Sequence, residues 1–222
     1  MERKKASDFP PEVLRLFDGY VHGSKSRREF LDEASKFAVG GMTAAVMLQS
    51  LQPNFAWAQQ VKKDDPRIQT EYKGRDLFAK QDTKKRIEDL VTGVSVLKAR
   101  PECSGKIGTV GFCFGGGIVN LLATRLPDLG AGVAYYGVQP AASDVPKIKA
   151  ALMIQNASDD PRINDGWPPY EAALKANQVR YEYFSYPSTQ HGFHNDTTPR
   201  YDEAAAKLSW QRTVDFFNQH LR

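Results

Sequence analysis

The stretch that decides the fold is "TVGFCFGGGIV", residues 109–119, in which a short apolar run ends at a cysteine held between glycines. Gly111-x-Cys113-x-Gly115 has the strand-turn-helix form of a nucleophile elbow, with cysteine in the place of serine. Such a turn lifts the reactive atom clear of the sheet, and its glycines let the following helix pass close to the strand. The stretch therefore predicts Cys113 as a nucleophile.

The position of the cysteine at the start of a helix also favours its charged form. The helix dipole stabilises a thiolate, and the backbone N–H of Phe114 faces the place where an oxyanion would develop. Two alternatives remain open: a buried structural cysteine, or a glycine-rich turn that cradles a phosphate. A disulfide between Cys103 and Cys113 is not expected, because ten residues that include an extended strand separate them by more than about 7 Å.

Strand-like and helix-like patterns mostly alternate on both sides of this turn. Short apolar runs rich in β-branched and aromatic residues predict strands, and apolar residues spaced three or four apart predict helices. The alternation predicts a mainly parallel sheet flanked by helices, an α/β fold. The predicted strands are 107–112, 132–138, 151–155 and 181–186, and the predicted helices lie within 76–98 and at 115–126, 170–176 and 201–221.

A cysteine nucleophile needs a base and an acid that orients the base. His191 lies in a loop between the last predicted strand and the closing helix, so it is the preferred base, while His194 is placed to bond within that loop. Asp159 and Asp160 follow the third strand, and one of them is expected to cap the next helix. The order nucleophile, acid, histidine is that of α/β-hydrolases. A metal pair of His191 and His194 is the weaker alternative, since no further ligand has convincing spacing.

The first 58 residues carry the features of an export signal. Arg27 and Arg28 precede a moderately apolar stretch at 37–48, and Ala56-Trp57-Ala58 suits signal cleavage. We therefore expect a twin-arginine-type signal over 1–58, a periplasmic location, an extended lead-in over 59–75 and the hydrolase-like domain over 76–222. The alternative is an amphipathic cytoplasmic helix.

Composition excludes some classes of protein. The 222 residues carry a net charge of only +4, with no basic block, so nucleic-acid binding has little support. The apolar stretch at 37–48 is too short to span a bilayer, which needs roughly twenty residues. No cofactor motif is found, and a small-molecule substrate is expected.

The motifs as a set resemble the dienelactone hydrolase family. They are Gly-Phe-Cys-Phe-Gly-Gly-Gly, the Asp-x-x-Ile of residues 160–163, His191-Gly-Phe-His-Asn-Asp and the run 200–205. The resemblance implies an α/β-hydrolase that cleaves esters or lactones with Cys113 as nucleophile, His191 as base, Asp160 as the orienting acid and Phe114 as one oxyanion donor. It also implies a thioester intermediate.

Two departures from the family qualify this expectation. The strands that precede the match in the family, with the loop supplying a second oxyanion amide, are not found, and Asn195 stands where dienelactone hydrolase has an arginine. We expect a fold lacking its N-terminal half, with the strand at 107–112 exposed as an edge that promotes self-association. The alternative functions are an impaired hydrolase remnant that at most binds small molecules or partners, and a thiol redox protein.

Overall fold

The computed structural model describes residues 4–40, 42–53 and 80–222. The predicted cleavage site at 56–58, the lead-in at 59–75 and the start of the first predicted helix at 76–79 lie outside these residues. The chain divides into two units: Val61–Gln190 with Lys207–Arg222, and Met1–Gln60 with His191–Ala206.

The larger unit is built on a parallel sheet whose strands lie in the order in which they occur in the chain. All three pairings are parallel, with Gly108 opposite Ala131, Ala131 opposite Ala151 and Leu152 opposite Tyr181. The α/β class predicted from the sequence is therefore confirmed. The strands are β1 (Gly108–Phe112), β2 (Ala131–Tyr135), β3 (Ala151–Asp159) and β4 (Tyr181–Gln190).

Alternate residues of the central strands face opposite layers, because side chains alternate across a strand. Ala134, Leu152 and Ile154 pack with Leu122 and Leu174 into the main apolar core. The helices described in and around this unit are α4 (Thr83–Lys98), α5 (Phe114–Arg125), the single turn α6 (Pro161–Asn164), α7 (Trp167–Ala176) and α8 (Glu203–Leu221), with α1 to α3 nearer the N-terminus.

The opposite face of the sheet is polar where it meets α8. The hydroxyl groups of Tyr135 and Thr213 are 2.7 Å apart, and the Gln155 amide donates to the Thr213 hydroxyl at 2.9 Å. Both Thr213 and Gln155 are fully buried. Buried polar groups must find partners inside the protein, so this network fixes α8 in one register against β2 and β3.

The described N-terminal residues of the smaller unit form the short α-helices α1 (Pro11–Val21), α2 (Arg27–Ala34) and α3 (Ala44–Leu51). Its core is made by Phe9, Val13, Leu14, Phe17, Phe30, Ala34, Ala44, Met47, Leu48 and Leu51. The segment predicted as an export signal therefore packs around an apolar core of its own, as far as its described residues extend.

The arginine pair of the predicted signal opens α2. The Ser26 hydroxyl accepts from the Glu29 N–H at 3.2 Å, and the Glu29 carboxylate accepts from the Ser26 N–H at 2.6 Å. This is a capping box, which satisfies two N–H groups at the start of the helix. Arg27 and Arg28 are exposed in its first turn. Among the described residues, no helix is both long enough and apolar enough to cross a membrane.

Candidate active site

Cys113 lies at the junction of β1 and α5 in a strained backbone conformation, with φ 54° and ψ −116°. A positive φ is rare for a residue with a side chain, and it persists where the surrounding structure enforces it. The N–H of Cys113 donates to the Tyr135 carbonyl at 3.1 Å, and its own carbonyl accepts from the Gly117 N–H at 3.2 Å. The turn is thus held from β2 on one side and from α5 on the other.

Three glycines make this close approach possible. A Cβ at Gly111 would lie 2.1 Å from the Gly115 carbonyl oxygen, and a Cβ at Gly116 would lie 2.5 Å from the Tyr135 carbonyl oxygen. A Cβ at Gly137 would meet the backbone of Gly116 at 2.2 Å, whereas one at Gly115 would meet nothing within 4 Å. Of the two glycines flanking the cysteine, Gly111 is therefore the one that the packing requires.

Phe114 is the first residue of α5, and the first N–H groups of a helix point out of its N-terminal end. Its ring is 52% exposed, with the Arg86 guanidinium carbon 4.8 Å from the ring centroid. Phe114 also lines an apolar groove of about 660 Å³ that runs between α4 and β1, where Leu90, Leu97 and Val110 contribute to the walls. A helix N-terminus and an apolar groove thus meet at the same turn.

Asp160 follows β3 directly and is 2% exposed. Its backbone carbonyl accepts from the N–H groups of Ile163 and Asn164 in α6, but its carboxylate makes no capping bond to that helix. The neighbouring Asp159 is exposed. Because β1 and β3 run parallel with β2 between them, Asp160 and Cys113 lie at the carboxyl edge of the same sheet, the edge where α/β folds bind ligands.

His191 is the residue that follows β4 in the chain and belongs to the smaller unit, where it is 3% exposed. Its ring meets the His22 ring edge to face, with centroids 4.8 Å apart. Asp18 lies beside both, with its Oδ1 atom 3.3 Å from His22 Nδ1 and 3.5 Å from Arg200 Nη1. The predicted base therefore lies beside Asp18 of α1 and His22, the residue at the C-terminal end of that helix.

Charge interactions around Asp18 keep it ionised. Burial by itself raises the pKa of the Asp18 carboxyl group, but the hydrogen bond and charge of His22, with the charges of His191 and Arg200, outweigh burial and lower the pKa to about 2. Asp18 is therefore a carboxylate throughout the neutral range.

The loop between β4 and α8, at 191–202, is held in part by its own hydrogen bonds. The Asn195 side-chain oxygen accepts from the Thr197 N–H at 3.0 Å and from the Thr197 hydroxyl at 2.7 Å, so Asn195 has a structural role within the loop.

Burial lowers the pKa of His194. No disulfide joins Cys103 and Cys113, as expected.

Asp18 and His22, which lie near His191, are not predicted from the sequence. Their four-residue spacing on α1 places them on one face of a helix, but nothing in the sequence relates that face to a loop some 170 residues later.

Comparisons with known proteins agree with the fold and with the motifs. Residues 44–221 match the model of the dienelactone hydrolase family, and residues 1–39 match a family described as YqhI-like. A candidate dienelactone hydrolase from Klebsiella pneumoniae superimposes with a TM-score of 0.59 at 26% identity over 70% of each chain. The dienelactone hydrolase of Anabaena variabilis, at 24% identity and a TM-score of 0.51, shares the fold over 61% of this chain and 60% of its own.

A parallel sheet with a strained strand-to-helix turn at Cys113 places the chain in the class of α/β-hydrolase folds. Within that class, the chain belongs to the dienelactone hydrolase family. A candidate carboxymethylenebutenolidase of Saccharolobus solfataricus is 34% identical over 115 residues, which are 51% of this chain and 44% of that relative. One from Synechocystis sp. is 29% identical over 67% of this chain and 65% of its own length. The chain thus spans between about two fifths and two thirds of these relatives.

Proposed function

We propose that the protein hydrolyses a small carboxylic ester or lactone with Cys113 as nucleophile, His191 as general base and Asp160 as the acid that orients the base. The observation that carries this proposal is the backbone of Cys113, held at φ 54° between β1 and the N-terminus of α5. Strain of this kind is costly, about 1–3 kcal/mol, and it clusters at functional sites. A structural cysteine would not need it.

In the first half of the reaction, the imidazole of His191 takes the proton of the Cys113 thiol, and the sulfur attacks the carbonyl carbon of the substrate. The carbonyl π electrons move to oxygen, and the N–H of Phe114 donates to this oxyanion. Collapse of the adduct breaks the ester C–O bond. The leaving alkoxide takes the proton from the imidazolium, which gives an alcohol and a thioester on Cys113.

In the second half, His191 takes a proton from water while the water oxygen attacks the thioester carbon. Collapse expels the sulfur and releases the carboxylic acid. The imidazolium returns its proton to the thiolate, so thiol and neutral imidazole are restored. With a lactone, the alcohol and the acid formed in the two halves belong to one molecule.

The buried carboxylate of Asp160 supports its assignment over the exposed Asp159. A carboxylate that accepts a hydrogen bond from the second ring nitrogen of the catalytic histidine fixes the tautomer of that ring and stabilises the imidazolium form. Asp160 is excluded from solvent and makes no helix-capping bond with its side chain, which supports a role other than capping α6. The apolar groove beside Phe114 favours a substrate with an uncharged, apolar portion.

The test is turnover of a chromogenic short-chain ester by the full chain and three variants. We expect Cys113→Ala and His191→Ala to reduce turnover to the background rate. Cys103→Ala is the matched control, because it removes the other thiol, and it should retain the wild-type rate. Equal rates in the wild type and Cys113→Ala would contradict the proposal and favour a non-catalytic binding protein.

A further inference from the structure

The smaller unit brings three potential metal ligands together. Asp18, His22 and His191 each offer one ligand atom, and these atoms lie within 4.8 Å of one another. Asp18 and His22 come from the C-terminal part of α1 and the residue that ends it, four positions apart, while His191 comes from the distant loop. Two imidazoles and one carboxylate form a ligand set that divalent transition metals accept.

The hydrogen bonding of His22 suits metal ligation. Its Nδ1 atom is 2.9 Å from the Asp18 backbone carbonyl oxygen. A ligating histidine commonly donates one ring N–H to a carbonyl or carboxylate, which fixes the ring and leaves the lone pair on the other nitrogen for the metal. His22 is also accessible to solvent, which gives an ion a path into the cluster.

We propose that Asp18, His22 and His191 form a binding site for a divalent transition-metal ion of the Zn²⁺ type. Bonds from zinc to imidazole nitrogen and carboxylate oxygen are about 2.0–2.2 Å, so the three side chains converge on the ion when it binds. Three protein ligands leave the fourth tetrahedral position to water. The Arg200 guanidinium, 3.5 Å from Asp18, competes for the carboxylate and moderates the affinity.

Binding at this site would have a consequence for catalysis, and this consequence rests on the proposed function. A metal ion on His191 occupies the lone pair that must accept a proton from Cys113. The ion therefore inhibits ester hydrolysis, and its removal restores activity. The site also depends on the first 22 residues of the chain, so removal of an export signal at residue 58 would abolish it.

The binding experiment titrates chelator-treated full-length protein with Zn²⁺ in competition with a fluorescent zinc indicator. We expect one site per chain in the wild type and in Cys113→Ala, which shows that the nucleophilic thiol is not the ligand. His22→Ala and Asp18→Asn should each weaken the affinity at least about tenfold. His220→Ala, which removes a histidine of α8, should bind as the wild type does.

Circular dichroism in the presence of chelator shows which variants remain folded, and the comparison is made among those. His22 is at the surface, so its variant is the decisive one. Wild-type affinity in folded His22→Ala, or absence of stoichiometric binding by the wild type, would overturn the metal site.

Inhibition is measured separately, as the ratio of ester turnover with and without Zn²⁺ for each variant. We expect strong inhibition in the wild type and in His220→Ala, and at least about tenfold more Zn²⁺ for the same inhibition of His22→Ala. Stoichiometric binding by a protein without turnover would refute the proposed function and leave the metal site standing. Ester turnover by a protein that does not bind Zn²⁺ would refute the metal site and leave the proposed function standing.

Discussion

Gly111 and Gly115 approach so closely that a Cβ at Gly111 would lie 2.1 Å from the Gly115 carbonyl oxygen. Because the obstacle is backbone, Gly111→Ala must displace α5 from β1. We expect it to lower the free energy of unfolding by at least about 1–3 kcal/mol and to reduce ester turnover by moving Cys113. Chemical denaturation and the ester assay measure the two effects. Gly115→Ala is the control, since its Cβ meets nothing within 4 Å, and equal losses in both variants would contradict this account.

The two neighbouring aspartates should differ sharply in their effect on catalysis. Asp160→Asn keeps the shape of the side chain but removes the charge that would stabilise the imidazolium, so kcat should fall on the order of 10³–10⁴-fold. Asp159→Asn alters an exposed side chain and should leave kcat within about twofold of the wild type, the scale of a surface change. Steady-state kinetics on one chromogenic ester makes the comparison. A larger loss in Asp159→Asn would reverse the assignment.

Burial of His194 should make stability depend on pH. Its pKa is lowered in the folded protein, whereas an unfolded histidine titrates near about 6.5. The unfolded chain therefore binds more protons between these two pKa values, and the stabilisation present above about pH 6.5 is lost as the pH falls through that range. Urea unfolding of the wild type and of His194→Gln from pH 8 to pH 5 measures how the free energy of unfolding depends on pH. We expect a shallower decline in the variant, and parallel curves would exclude His194 as the cause.

Among the strands that the structure describes, β1 lies at one edge of the sheet, and this position predicts self-association. Val110 is 40% exposed in the middle of this strand, beside the apolar groove. Analytical ultracentrifugation over a range of concentrations should show dimers or larger species in the wild type. Val110→Lys should shift them toward monomer, because a charge on an edge strand opposes pairing. Val214→Lys is the control on α8, where the valine is 38% exposed. If the wild type is monomeric at every concentration, self-association through β1 is contradicted.

Much of the larger unit follows from its sequence. Apolar periodicity located the four strands and the helices beside them, because each buries one face or both. Only the C-terminal end of β3 differs from the prediction: the sequence predicts 151–155, but the strand continues to Asp159 through residues that are mostly polar. Backbone pairing with β4 extends β3. Such pairing does not depend on apolar side chains, so the apolar pattern of the sequence does not predict it. β2 ends earlier than predicted, since Tyr136 adopts a positive φ and Gly137 packs against Gly116.

The surroundings of His191 could not be predicted in the same way. Motif order predicts His191 as the base, but its neighbours Asp18 and His22 lie in a segment whose arginine pair and apolar stretch indicate export. The sequence Ser26-Arg27-Arg28-Glu29 fits a twin-arginine motif and also fits the capping box that opens α2. Export stays a prediction, and the described residues of the same segment form α1, α2 and α3 around an apolar core.

The smaller unit has a consequence for the timing of biosynthesis, because it joins Met1–Gln60 to His191–Ala206. At a translation rate of about 5–20 residues per second, roughly 7–26 s pass between the emergence of its first part and its second. During that interval, α1 to α3 leave the ribosome without the loop that completes their unit. The environment of His191 can therefore be assembled only when synthesis is almost finished.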